Sequence, residues 1–542
     1  MEFSSSMAMK MGSCVVVLGL ITWVLYVYGN IWYKSKRVRR KLIAQGIKGP
    51  QPSFLCGNIA DMQRIQAQVN NFIEAPNNGR RCNNNVNHHQ FLAHDYTATL
   101  FPYFEHWRKK YDYFIPGQVY TYSTGMKQHL YVNNPELVTE MNQSITLDLG
   151  KPTYITNKLA PLLGNGILRA NGHSWANQRK LVAAEFFMDK VKGMVGLMIE
   201  SAQPLLRKWE ELISGTGTGL AEVKVDADLR DFSADVISRV CFGHSYFKGK
   251  DLFSKLRKLQ KTMSDQGGFL FGLNGFRGKL FLSSKKQKQI SSLEKEIESL
   301  IWSLVDERKR ECSSWEKDLM QLLLEAAMAD KSLGKEFSRR FIVDNCKNIY
   351  FAGHETTAIA ASWSLMLLAL HPQWQEKIRT EVAEVCPHGI PHADSLPLLK
   401  TVNMVIHEVL RLYPPAAFVS REAYEDIQIG DINVPKGVCL WTLIPTLHRD
   451  PENWGQDSNE FKPERFKEGV SQACKFPQAY VPFGLGPRLC LGRNFAMVQL
   501  KVVLALIISK FSFSLSPSYS HSPAYRMIVE PGHGVYIIIK KL

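Results

Sequence analysis

The chain has no C-x-x-C pair. Its ten cysteines, Cys14, Cys56, Cys82, Cys241, Cys312, Cys346, Cys386, Cys439, Cys474 and Cys490, stand apart over 542 residues. This excludes the common zinc and dithiol spacings, gives no disulfide scaffold, and fits a reducing compartment. The body also lacks a dense basic stripe. Net charge is +16, but much of it lies in the first fifty residues, where Lys10, Lys34, Lys36, Arg37, Arg39, Arg40, Lys41 and Lys48 face the single acid Glu2. The dense run, Lys34 to Lys41, abuts an apolar segment rather than a surface for phosphates, so no nucleic-acid partner is expected. No internal repeat is visible. Gly215, Gly217 and Gly219 imitate part of a dinucleotide loop, yet no strand precedes them and the sixth-position glycine is missing. They read as a flexible turn between helices.

Charge is absent from Cys14 to Tyr33. As a helix these residues span about 30 Å, the thickness of a bilayer core. Lys34 follows at once, so the positive-inside rule keeps the basic cluster and the body behind it cytosolic, with Tyr26, Tyr28, Trp32 and Tyr33 suited to an interface. A cleaved signal peptide is disfavoured by the long apolar run and the lack of a small-residue cleavage site. Gly46, Gly49, Pro50, Pro52 and Gly57 then predict short, stiff, non-helical connections. The expected organisation is an anchor over residues 1–33, a basic and Pro/Gly hinge over 34–57, and one large body over 58–542. Asn77 to Gln90 reads as a polar insertion.

With 45% hydrophobic and 21% charged residues the body has the composition of a folded protein. Helical periodicity dominates it: Ser291 to Arg310 places Leu293, Ile297, Leu300, Ile301 and Leu304 on one face. Strand signals are short, at Val119 to Thr121 with Leu130 to Val132, Ile427 to Val434, and Tyr536 to Ile539. The fold class is therefore mainly α with small β-sheets.

The decisive stretch is Val481 to Ala496, VPFGLGPRLCLGRNFA. Cys490 precedes an apolar run that should be helical, where the positive end of the helix dipole and free N–H groups favour thiolate over thiol. Gly484, Gly486 and Gly492 permit tight turns and close backbone approach, Phe483 can shield the sulfur, and Arg488 can reach a carboxylate. Phe483, Gly486, Arg488, Cys490 and Gly492 complete the F-x-x-G-x-R-x-C-x-G pattern, and the chain thereby resembles the cytochrome P450 superfamily. A structural cysteine in a glycine loop, the plain alternative, would not require the other four matches. The resemblance implies the P450 fold behind an N-terminal transmembrane helix. It also implies haem b (iron protoporphyrin IX), held by the Cys490 thiolate that pushes electron density toward O–O cleavage.

Further motifs follow in the family's order from about Trp175 to the end of the chain. Glu408 and Arg411, in HEVLRLYPP, lie three apart on a helix stopped by Pro414 and Pro415, and Arg465 in FKPERF can join them. Alone such a pair is usually a solvated one; in the family it forms a buried cluster supporting the proximal side. Trp175 and Arg179, in HSWANQRK, are four apart and can both meet a propionate; by resemblance Arg421 and Arg488 do so too. Lys335 to Leu370 reads as one long helix, with FAGHETTA near its middle. Gly353, Thr356 and Thr357 are poor helix formers, which predicts a widened turn. The resemblance sets Ala352 against the haem and makes Thr356 the proton-relaying hydroxyl, fed from solvent by Glu355. The plain alternative is a threonine bonding back to a carbonyl one turn earlier. His354 is expected to point away from the haem.

The implied reaction inserts one oxygen atom into a substrate C–H bond. No flavin or dinucleotide motif is present, so the resemblance implies an NADPH-cytochrome P450 reductase as partner, with Lys180, Lys475 and Arg493 as candidate contacts, and an endoplasmic-reticulum membrane as location. A haem-thiolate isomerase or dehydratase needs no reductase, and the Glu355–Thr356 pair argues against it; a haem carrier or gas sensor is a third reading. Leu162 to Ile167, Phe269 to Leu273, and Phe418 with Val419 are apolar candidates for a lipophilic substrate pocket. PYFEHWRKKY, GNGILRANGHSWANQRK, FAGHETTA and LHRDPENWG resemble plant microsomal members that oxidise gibberellins, related ent-kaurane diterpenoids and triterpenoids. A gibberellin-type diterpenoid is the expected substrate.

Overall fold

Long amphipathic runs become long helices here, and the longest in the body organises the rest. The computed structural model describes residues 2–74, 95–111, 119–143, 148–243, 246–264, 284–310, 318–329 and 335–542. The Asn-rich stretch 77–90 and the pocket candidates at 269–273 lie outside them. The helices that position the site are α1 (Glu2–Ile43), α2 (Pro135–Gln143), α3 (Gly172–Ala183), α4 (Met188–Gly193), α5 (Val225–Phe242), α6 (Tyr246–Ser264), α7 (Ser284–Arg310), α8 (Lys335–Leu370), α9 (Lys400–Leu412) and α10 (Arg493–Lys510).

The α8 helix has the predicted bounds and runs about 54 Å. It packs along α5 and also meets α7, α9 and α10. Its second half is closed on all sides: Trp363, Leu365, Met366, Leu367 and Leu368 are fully buried. The Trp363 ring stacks on Tyr413 at 4.3 Å, just past α9, and burying each such side chain contributes about 1.5–3 kcal/mol. Val402, Val405, Ile406 and Val409 give α9 one buried face, and Pro414 stops it as its missing N–H requires.

The sheets are small, as expected. A five-stranded sheet has the order β1-β2-β8-β5-β3, from Val119–Thr124, Lys127–Val132, Cys439–Leu443, Phe418–Ala423 and Leu149–Gly150. The β2/β8 pair is parallel and the others antiparallel. Strands β4 (Leu220–Lys224) and β9 (Phe511–Leu515) flank β12 (Tyr536–Lys541). Two hairpins, β6–β7 (Ile427–Ile429, Ile432–Val434) and β10–β11 (Pro523–Tyr525, Val529–Pro531), complete the set. The turn after Gly215 thus leads into β4, not into a helix, because Ala221 and Val223 can bury against the sheet.

Among the described residues α1 contains the one helix long and apolar enough to cross a membrane, Val15–Ile43. It does not end where the charges begin. Ser35, Arg39 and Leu42 share a face and are buried. Ser35 Oγ donates to Met126 O at 2.8 Å, Arg39 Nη2 donates to Pro50 O at 2.7 Å, and Leu42 joins the cluster of Val119, Leu130 and Leu440. Where the sequence predicts a hinge from residue 34, helix continues to Ile43 because one face of the basic run has partners on the body. Gly46, at φ 84°, turns the chain off the helix. A side chain at Gly49 would collide with the Thr121 carbonyl, so the following segment lies against β1.

Candidate active site

A buried ion cluster formed by α9 and the segment after β8 supports the cysteine loop. Glu408 and Arg411 are both 0% exposed and pair through two bonds of 2.7 Å. Arg411 also donates to the carbonyls of His448 at 3.0 Å and Glu460 at 2.9 Å, so its charge is met on several sides. Arg465 lies 3.6 Å from Glu408 and pairs with Asp457 at 2.8 Å. His448 carries this cluster to the loop. Its Nδ1 lies 3.0 Å from Arg411 O, and Val481 N–H donates to its Nε2 at 2.9 Å. These partners fix a neutral tautomer, and burial holds the ring pKa down at about 3.

From Val481 the loop folds on itself. Gly484 N–H donates to Val481 O at 3.0 Å, and Cys490 N–H to Phe483 O at 2.8 Å. Gly486 sits at φ 67°, and a Cβ there would run into the Asn142 carbonyl of α2, so both conformation and space demand glycine. Gly492 caps α10. Cys490 is exposed as a residue although protein surrounds its thiol. Burial holds the thiol above its usual value, only partly offset by the Gly492 N–H, Arg179 and Arg493, so the loop alone does not favour thiolate as the helix end predicts, and a bound metal cation would have to supply that preference.

Beside the sulfur the structure gathers cations. Arg179 and Arg488 both approach Trp175, at 5.8 and 4.3 Å from its ring. Arg488 donates to Ala170 O and Asn171 Oδ1, and Arg421 to Asn142 Oδ1 at 2.7 Å. Lys151, which no sequence motif singled out, completes the group; its Nζ donates to Leu168 O. None of these four cations has an ion pair with a carboxylate among the described residues. Burial first, then mutual repulsion, lowers Lys151 to about 7 and Arg421 to about 9. Burial also lowers Arg488, to about 10. Such a cradle calls for an anion.

Packing of α10 on α8 brings the FAGHETTA turn to the same part of the molecule. Gln499 of α10 donates to Ser233 of α5, which donates to Gly353 O. From His354 to Ala369 Thr356 is the one half-buried residue, and Ala352, a turn earlier, is half-buried too. The expected widening is not seen: the helix is regular and Thr356 Oγ1 donates to Ala352 O at 2.8 Å, so the hydroxyl is satisfied within the helix without opening it. Glu355 turns the other way. It meets Arg230 at 3.2 Å and Arg257 at 2.9 Å, and both arginines also hold Glu530, with Arg526 a third partner of that carboxylate at 2.6 Å. His354 is buried against Phe253 at 5.0 Å, and burial lowers it to about 4.

A surface cleft between α2 and the β6–β7 hairpin, lined by Glu136, Glu140 and Asp148, has acidic walls and holds none of these groups. The sulfur, the cation cradle and the glycine turns fit a dianionic iron macrocycle. The family model described as Cytochrome P450 matches residues 79–536. The chain belongs to the cytochrome P450 family. It is 54% identical over 529 residues to "Cytochrome P450 714A2" of Arabidopsis thaliana, with 97% of each chain covered. It is 46% identical to "Cytochrome P450 714C2" of Oryza sativa subsp. japonica, with 95% of each covered, and 44% identical to "Cytochrome P450 714B3" of Zea mays, covering 100% of this chain and 98% of that one. This cytochrome P450 is a monooxygenase. Its haem, when bound, supplies the redox chemistry that puts one atom of dioxygen into substrate and releases the other as water.

Proposed function

We propose that this P450 oxidises a lipophilic terpenoid, a gibberellin or a related ent-kaurane diterpenoid, at a C–H bond. The observation that carries the reading is the apolar wall around Phe418. Its ring meets Phe101 at 5.0 Å, Trp441 at 5.3 Å and Tyr525 at 5.7 Å, edge contacts of an aromatic cluster in which Phe101 and Trp441 are buried while Phe418, at the start of β5, and Tyr525 are half-buried and offer its hydrocarbon edge. The motif resemblance to plant diterpenoid oxidases supports the same class.

In this reading Cys490 ligates the haem iron, and Trp175, Arg179, Arg421 and Arg488 hold the propionates. Phe483 would shield the sulfur, Gly486 and Gly492 would let backbone approach the macrocycle, and Ala352 would contact it. The Thr356 hydroxyl turns from Ala352 O to hold a proton at Oγ1 and pass it inward. Glu355, after exchanging an arginine partner for water, takes a proton from that water's solvent chain and passes it on to Thr356. Electrons come from NADPH through a separate P450 reductase, and the anchor over 1–33 places the enzyme on the endoplasmic-reticulum membrane with its body in the cytosol.

Microsomes holding this protein and a reductase, given NADPH and a terpenoid panel, test the reading by product mass. Products gaining one oxygen from diterpenoid acids are expected. Turnover of triterpenoids alone would replace the substrate class and leave the enzyme class standing.

A further inference from the structure

Seven residues beyond Thr356, about 10 Å along α8, an aromatic chain leaves the helix and ends near the surface. Trp363 and Tyr413 are both 0% exposed and stack at 4.3 Å with their planes 20° apart. Tyr413 Oη lies 3.3 Å from His521 Nε2, and Tyr519 Oη lies 2.8 Å from Nδ1 of the same imidazole. His521 also meets Trp363 edge-on at 5.9 Å. Tyr519 and His521 stand in the connection between β9 and β10. Both are half-buried, and Tyr519 lies between exposed Ser518 and Ser520. Packing accounts for the stacked rings, but not for a base held between two phenols.

Indole and phenol rings give up single electrons more readily than aliphatic side chains do. A phenol that loses an electron becomes strongly acidic, so it needs a base within hydrogen-bond reach. Burial keeps His521 neutral, with its pKa lowered to about 4, so one ring nitrogen can accept. Trp363 has no such base: its Nε1 donates to Val529 O at 3.2 Å, and a carbonyl does not keep a proton. Tyr96 is the contrast. It stacks on Tyr413 at 5.6 Å, but its hydroxyl meets Arg449, whose guanidinium lies 4.8 Å from the Tyr96 ring and 5.9 Å from that of Tyr413. This charge disfavours a cation on either ring. An electron therefore leaves Tyr413 only together with its proton, and His521 is where that proton goes.

We propose that Trp363, Tyr413, His521 and Tyr519 form a protective route that discharges an oxidised haem pocket to the surface when no substrate C–H bond is presented to it. Trp363 gives one electron to the oxidised haem centre and takes one from Tyr413, whose phenol proton passes to His521 Nε2. Tyr519 then returns an electron to Tyr413, which recovers its proton from His521, and Tyr519 loses its own phenol proton to solvent. A small soluble reductant of the ascorbate or thiol class gives Tyr519 one electron, and solvent returns the proton. Each passage moves one electron inward and leaves the four side chains unchanged. The route does not depend on which substrate the pocket takes.

The test gives hydrogen peroxide and a nitroso spin trap to the full-length ferric haemoprotein without substrate. Radicals are read by freeze-quench electron paramagnetic resonance and trap adducts are located by peptide mass. Wild type should show a tyrosyl signal and an adduct at Tyr519. In Tyr413→Phe the dithionite-reduced carbon-monoxide band should match wild type, while the Tyr519 adduct is lost and the haem bleaches sooner under peroxide. His521→Gln should lose the adduct too, although the stacked rings remain. If Tyr413→Phe folds poorly, Tyr519→Phe at the half-buried end should keep a tyrosyl signal that decays more slowly when ascorbate is added. An undiminished Tyr519 adduct in Tyr413→Phe or His521→Gln overturns the proposal, as does a wild-type adduct at Tyr96 in place of Tyr519. The same adduct in haem-free protein would overturn it as well, by marking direct attack from solution.

Discussion

Arg257 of α6 donates from Nη1 to the Glu355 carboxylate at 2.9 Å and so ties α6 to the middle of α8. The same guanidinium reaches Glu530 at 2.7 Å, making one lattice of Glu355, Glu530, Arg230, Arg257 and Arg526. Burial raises the Glu355 pKa, but His354, Arg230 and Arg257 more than offset it, so the carboxyl is held below its ordinary value. Its contribution to stability is therefore complete above the unfolded carboxylate pKa and lost as pH falls through the lower folded one. Glu355→Ala should destabilise by about 3–5 kcal/mol, because two part-buried arginines lose a partner. Urea unfolding checks this, and the deficit should shrink in acid; a variant within about 0.5 kcal/mol of wild type would show the lattice to be dispensable.

Lys151 gives a prediction of the same sign in an alkaline window. Its folded pKa without a counter-ion, about 7, is below the unfolded value, so the unfolded chain binds more protons between the two and stability without haem should rise with pH from about 7 toward 10. A propionate at Nζ restores the charge, so haem binding at pH 8–9 should take up a proton. Lys151→Met should abolish that uptake and speed haem transfer to apomyoglobin. Equal proton uptake in the variant would assign the linkage to another group.

The route from the ion cluster to the loop makes Glu408 sensitive at a distance. Glu408→Ala leaves Arg411 buried with its carboxylate partner gone, at a cost of about 3–5 kcal/mol. Arg411 O and Val481 N share His448, so the loss should appear at Cys490. The expected outcome is protein that is expressed but holds little haem, read by the ratio of Soret to protein absorbance.

The parts legible in the sequence are those where the cause is local. The ends of α8 and the cysteine loop follow from spacing, turn residues and helix stops within a few positions, and the strand signals at 119–121, 130–132 and 536–539 each fall inside a longer strand, whereas the run 427–434 folds into a hairpin of two short strands about Gly430. The parts that were not legible depend on partners far along the chain. Arg39 looks like one more basic residue until Pro50 offers its carbonyl. Lys151 has no motif, and the Arg230, Arg257 and Glu530 lattice spans about three hundred positions with no spacing rule; the one hint is a charged Glu530 among apolar neighbours in MIVEPG. The regular helix at Thr356 shows the same limit, since propensity marks the conflict at GHETT but not which hydrogen bond resolves it.

That hydrogen bond separates two roles for Thr356. In the structure its hydroxyl donates to Ala352 O at 2.8 Å, a purely structural use. The relay role requires the same Oγ1 to turn toward the open side and hand on a proton. Thr356→Ala removes both uses, and Thr356→Val keeps the shape without the hydroxyl. Losing a helix back-bond costs little stability, so both variants should unfold within about 1 kcal/mol of wild type. If the relay operates, both should keep consuming NADPH while product formation falls about a hundredfold and hydrogen peroxide rises to balance the electrons, with Thr356→Ser restoring most of the product. Peroxide per NADPH, measured with a turned-over substrate, checks this. Coupling unchanged in Thr356→Val would leave the hydroxyl its structural bond alone and move the proton route to another group.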